Sequence, residues 1–212
     1  SVKKAEQRLL DEEKSKGYLG IEGHPDYLRH VIRLAVGDAF DAARVAAVQT
    51  PGGTGALRVA AEMVGRHFPR TRIWVSNPTW ANHNSVFEAA GLQVETHPYL
   101  GTDKTSLDLS AMLGHLRAHA KSGDLICLHA CCHNPTGIDP TSEQWEEIAA
   151  LLSEKKMIPF VDFAYQGFGS GLSEDAAAIQ TLLKLLPEAI VCSSFSKNFG
   201  LYSERVGAAM VI

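Results

Sequence analysis

The stretch SSFSKNFGLYSERVG, residues 193–207, sets one lysine, Lys197, among two small hydroxyl residues, Ser194 and Ser196, and an arginine, Arg205. The amine of a lysine forms a Schiff base with an aldehyde. Hydroxyls and a guanidinium can hold a phosphate. An aldehyde that also carries a phosphate is pyridoxal 5′-phosphate (PLP), so the stretch points to that cofactor. A lone lysine after a strand is more commonly a plain surface residue, and the choice between the two readings depends on the surrounding chain.

Working outward, residues 189–193 and 206–212 are apolar runs of strand length on either side of the lysine segment. Upstream, strands are expected at 45–50, 72–76, 93–99, 125–130 and 158–163, alternating with helices at 56–67, 83–90, 109–120, 143–155 and 176–185. Apolar strands in this rhythm predict an α/β fold with a mainly parallel sheet covered by helices on both faces. Ahead of them, residues 1–16 read as an exposed amphipathic helix ended by Gly17, 18–25 as turns, and 26–37 as a second helix. The chain stops on the strand AAMVI, so a fragment is expected, with sequence missing after residue 212 and before residue 1.

The 212 residues, 45% of them hydrophobic, suffice for one large domain or two small ones. A net charge of −4 implies no broad cationic surface, so nucleic acid is not expected as a partner. No apolar run reaches membrane-spanning length and no signal-peptide pattern opens the sequence, so no membrane is expected either. The four cysteines, Cys127, Cys131, Cys132 and Cys192, have neither zinc-site nor disulfide-framework spacing. They read as free thiols in a reducing cytoplasm. Cys132 beside His133 suggests a metal pair or a nucleophile, but Asn134 and Pro135 already account for the local design.

Polar motifs fall at the expected strand ends, where open α/β sheets bind ligands. PGGTGALR, residues 51–58, offers backbone amides at Gly52 and Gly53, the Thr54 hydroxyl and a helix N-terminus for an anion, or simply turns the chain. NPTWANH, residues 77–83, places Trp80 and His83 after a strand; the indole either stacks on a planar ring or packs in the core. HACCHNPTG, residues 129–137, carries His129, functional or a satisfied core histidine, and Asn134, whose amide can donate to a phenolate-like oxygen. VDFAYQGFGSG, residues 161–171, ends an apolar strand with Asp162, with Tyr165 three residues on. A carboxylate there needs a partner, and a protonated pyridine nitrogen suits it; a helix N-cap is the alternative.

Taken in order, GGTGALR, NPTW, HNPTG, DFAYQGF and SFSKNFGLYSERVG resemble the aspartate and aromatic aminotransferases of PLP fold type I over nearly the whole chain. The resemblance implies the large, PLP-binding domain of that fold over residues 1–212, with a seven-stranded sheet whose last strand is 206–212. It implies that Lys197 holds PLP and moves the substrate proton, with Asp162 on the pyridine nitrogen and Tyr165 and Asn134 on the ring oxygen. Trp80 would stack on the ring. Gly53, Thr54, Ser194 and Arg205 would bind the phosphate, with Ser196 close by. His83 would stand behind Asp162, and His129 behind the ring near Asn134. Tyr18 matches a tyrosine that reaches the phosphate of a neighbouring subunit, which implies a homodimer. Gly52 departs from the pattern, since many members carry a serine there. The arginines that grip the substrate's carboxylates would lie beyond residue 212, in a small domain. The implied reaction is transamination of aspartate with 2-oxoglutarate. Aromatic amino acid transamination is the nearest alternative, and a PLP-binding module without activity is the reading for a fragment. GLYSERVG argues against a lyase or decarboxylase.

Overall fold

The computed structural model describes residues 2–38 and 40–212. Strands β1 (Ala46–Pro51), β2 (Arg72–Asn77), β3 (Gln93–Pro98), β4 (Leu125–His129), β5 (Ile158–Phe163), β6 (Ile190–Ser194) and β7 (Val206–Val211) form one sheet. The strand order is β1-β7-β6-β5-β4-β2-β3. From β3 through β6 every pairing is parallel, and β7 runs antiparallel to both β1 and β6. The seven strands and the mainly parallel pairing match expectation. The last strand in the sequence, β7, lies inside the sheet, between β1 and β6. Apolar periodicity shows that a strand is buried but carries no record of its direction or neighbours.

Helices α1 (Val2–Glu12), α2 (Pro25–Val36), α3 (Gly52–His67), α4 (Asn82–Ala89), α5 (Leu109–His119), α6 (Ser142–Lys155) and α7 (Ala177–Leu185) complete the chain, with a 3₁₀ turn at Ala42–Arg44. On one face Ala56, Leu57, Ala60 and Val64 of α3 pack with Phe87 of α4 against Ile73, Leu125, Phe160 and Ala209 of the sheet. On the other, α2, α5, α6 and α7 enclose a larger core around Ile126, Val161, Val191 and Met210. All five positions of β4 and of β6 are buried, the pattern of inner strands covered on both faces.

Local signals explain the starts of α2, α5 and α6. Pro25 opens α2, with His24 Nδ1 accepting from the Asp26 N–H. Asp108 caps α5, and Thr141 with Gln144 forms a capping box on α6. Two boundaries differ from expectation by four residues. α1 stops at Glu12 rather than at residue 16: it has no buried residue, so no packing sustains its last turn. Gly17 instead donates its N–H to Ser15 Oγ. α3 begins at Gly52, four residues before the expected 56, so the glycines expected in a loop form the first turn of the helix.

This arrangement brings the polar motifs to one edge of the sheet. His129 ends β4 and Ser194 ends β6, while Asp162 is the penultimate residue of β5. Because β7 is antiparallel, the residue just before it, Arg205, arrives at that same edge.

Candidate active site

Ten of the eleven residues singled out as cofactor or catalytic positions line a single cavity of about 160 Å³. They are Gly53, Thr54, Ser194, Ser196 and Arg205, with Trp80, Asn134, Asp162, Tyr165 and Lys197. Tyr18 is the exception: it is fully exposed and does not line the cavity. Cys131 and Tyr202 also line it and carry no recognisable signal in the sequence.

The phosphate-type residues converge through close backbone approach. Gly52 has φ +75°, and a Cβ there would come within 2.6 Å of the Arg205 guanidinium. A Cβ on Gly53 would meet Ser194 Cβ at 2.7 Å. Glycine at both positions therefore lets the first turn of α3 lie directly against Ser194 and Arg205. The unpaired amides and dipole of that turn add to the guanidinium as anion donors. Arg205 is held by its bond to Tyr202 O at 3.0 Å, and Ser194 Oγ accepts from the Ser196 N–H at 3.4 Å.

Asp162 presents a carboxylate at the cavity with a side chain only 12% exposed. Its Oδ2 is 3.0 Å from His83 Nε2. Burial pushes Asp162 up, but the His83 hydrogen bond, with the positive charge of His83 and Lys197, outweighs it and holds the group below the ordinary carboxylate range. Burial likewise opposes a charge on His83, and the Cys127 sulfur and the Asp162 carboxylate lift it above the ordinary histidine value. The result is an ionised carboxylate facing the cavity, not a helix cap.

His83 Nδ1 pairs with Thr79 Oγ1 at 2.8 Å, and the same hydroxyl lies 3.4 Å from His129 Nε2. His129 Nδ1 accepts from the Asn134 N–H at 3.0 Å, which fixes its remaining proton on Nε2. Burial pushes His129 down to about 4, so it stays neutral. His129 stacks on His133 at 4.2 Å, and His133 stacks on Tyr99 at 3.9 Å. His83, Cys127 and His129 lie close enough to suggest a metal centre. Both ring nitrogens of each histidine are already committed, to Asp162, Thr79 and the Asn134 amide, so the group is a hydrogen-bonded support for Asp162. The four cysteines are free, as expected.

Lys197 Nζ lies 4.4 Å from the centroid of the Tyr165 ring, which places the amine beside the phenol. Trp80 is half-buried and meets the His83 ring edge-on at 5.3 Å, so it serves both as cavity wall and as core packing. An amine, a carboxylate, an anion cradle and amide and phenol donors on one cavity match the functional groups of PLP one for one.

The sequence matches the family described as aminotransferase class I and II over residues 1–211. It is 51% identical to an aspartate aminotransferase of Salmonella typhi, covering 100% of this chain and 54% of the relative. It is 47% identical to an aromatic-amino-acid aminotransferase of Pseudomonas aeruginosa, covering 100% of this chain and 53% of the relative. The fold superposes with a TM-score of 0.95 on a Burkholderia pseudomallei aromatic-amino-acid aminotransferase described as covalently bound to pyridoxal phosphate. That structure is 38% identical, and the match covers 100% of this chain and 53% of it. The chain thus spans about half the length of the relatives it matches.

Proposed function

We propose, from the premise that this chain belongs to the class I and II aminotransferase family, that the full-length protein transfers the amino group of an amino acid to a 2-oxo acid with PLP. One observation carries the reading. Lys197 and Arg205, from the connection between β6 and β7, meet Asp162, from β5, on one cavity.

PLP supplies an electron sink for the electrons released at the substrate's Cα. The chain's residues do the rest. Lys197 would supply the amine that holds the cofactor's aldehyde carbon, and as a free amine it would carry the substrate's Cα proton. Asp162, kept ionised by His83, holds a proton on the ring nitrogen. Asn134 and Tyr165 donate to the ring oxygen. Trp80 covers a ring face. Gly53, Thr54, Ser194 and Arg205 bind the phosphate, and Ser196 donates its N–H to Ser194 Oγ, which holds that hydroxyl in place.

Aspartate with 2-oxoglutarate is the substrate pair proposed first, since a 51% identical relative is named an aspartate aminotransferase. Aromatic amino acids are the second, on the strength of the 47% identical relative. We read residues 1–212 as the cofactor-binding large domain. The substrate-gripping arginines implied by the family belong to the length of the relatives that the chain does not span. The exposed Tyr18 fits a role at the site of a second copy, making the protein a homodimer. The test is to supply the purified full-length protein with PLP and then with aspartate or phenylalanine. Conversion of the cofactor to its amine form by aspartate at a higher kcat/KM supports the first pair. Preference for phenylalanine supports the second, and no conversion by either amino acid rejects transamination.

A further inference from the structure

The segment between β4 and α6 contains a device that the cofactor reading leaves unexplained. Cys132 has φ +52°, a left-handed backbone that disfavours a residue with a side chain. Its N–H donates to Asp139 Oδ2 at 2.6 Å, and the next amide, His133 N–H, donates to Asp139 Oδ1 at 2.8 Å. The amide after that, Asn134 N–H, donates to His129 Nδ1. Three consecutive amides are thus each taken by a side chain. Asp139 is an exposed residue and does not line the cavity. Cys131 and Asn134, on either side of the two amides it holds, both line it.

We infer that Asp139 is a positioning residue: its carboxylate clamps the left-handed turn at Cys132 and so aims the Asn134 side chain at the cofactor's ring oxygen. A carboxylate with one oxygen for each of two successive amides fits this turn as an anion fits a backbone nest. Charge-assisted bonds of this kind are stronger than neutral ones, which offsets the unfavourable φ. The clamp, and not the Asn134-Pro135 pair alone, accounts for the design around Cys132 and His133. The inference rests on the proposed cofactor site, because it assigns Asn134 a ring oxygen to meet.

The test uses the full-length protein carrying Asp139→Ala, Asp139→Asn, or Asp139→Ala combined with Cys132→Gly. Two quantities are read: the affinity of the apo protein for PLP, and the pH midpoint of the bound cofactor's absorbance change. Losing a donor to the ring oxygen weakens binding and favours the protonated chromophore. Asp139→Ala is therefore expected to lower affinity by about tenfold and raise the midpoint by about half a pH unit. Asp139→Asn, with one acceptor oxygen, falls between it and the unaltered protein. Glycine at 132 takes the left-handed conformation without help, so the double variant recovers most of the loss. An unchanged affinity and midpoint in Asp139→Ala overturns the inference, whatever happens to thermal stability. If that variant does not fold, an unchanged midpoint in Asp139→Asn overturns it. Failure of the unaltered protein to bind PLP would reject the cofactor reading instead. In that event hydrogen exchange at the amides of residues 132–134 still tests the clamp: faster exchange in Asp139→Asn supports it and unchanged exchange overturns it.

Discussion

Asp162 depends on its neighbours for its charge. It stands at the end of a buried strand, and His83, itself fully buried, is its hydrogen-bonded partner. Removing one member of such a pair leaves the other uncompensated. His83→Leu is expected to cost about 3 kcal/mol of folding stability, measured as a lowered urea midpoint. On the proposed assignment Asp162→Ala would leave the cofactor's ring nitrogen without a carboxylate, and it is expected to lower kcat by about 100-fold or more. A variant at either position with wild-type values would contradict the assigned pairing. Asp162 is legible in the sequence because a carboxylate closing an apolar run is costly without a partner. His83 and His129 are legible beside it, but Thr79, the hydroxyl that lies between them, is not. A threonine in a turn has no distinguishing pattern, and its role exists only once β2 and β4 lie side by side.

At the scale of elements, the proposed phosphate cradle depends on how closely β7 approaches the start of α3. A Cβ on Gly207, in β7, would collide with the backbone carbonyl group of Gly52. Backbone atoms cannot move aside as a side chain end can. Gly207→Ala is expected to cost about 2 kcal/mol and to weaken PLP binding, read by urea unfolding and cofactor titration. Thr141→Ala, which removes the capping box of α6, is expected to cost about 1 kcal/mol and leave PLP binding unchanged. Equal effects of the two changes on PLP affinity would contradict the account. The strands are legible because inner strands of a parallel sheet are apolar throughout, as β4 and β6 are. The contact of Gly207 with Gly52 is not, since it joins residues far apart in the chain through a strand whose direction no local pattern encodes. The glycine-rich start of α3 reads as a loop because glycine is a poor helix former, and the close packing that overrides propensity there is tertiary.

Across the whole molecule, His129 at the cavity belongs to a cluster of buried histidines with His133 and His97. Burial pushes His97 and His129 down to about 4 and His133 down to about 3, against an ordinary value near 6.5. A histidine held neutral in the folded chain takes up its proton only on unfolding. Its contribution to stability is therefore complete above about pH 6.5 and is lost as the pH falls toward about 4. Near pH 5 unfolding should bind about three protons, and stability should fall by about 4 kcal/mol per pH unit from these groups alone. Denaturant unfolding across that range measures the slope, and a slope of one proton or fewer contradicts the assignment. The low values of Asp162 and Asp175 add a further loss only at still lower pH, where carboxylates protonate. These parts of the molecule serve one purpose, a single amine set beside a carboxylate and an anion cradle. The most direct test is to load the full-length protein with PLP, reduce it with borohydride and locate the pyridoxyl group by peptide mass spectrometry. The account predicts the group on Lys197, with neither labelling nor the Schiff-base absorption band in Lys197→Ala. Labelling at another lysine, or an unchanged Schiff-base band in that variant, would contradict it.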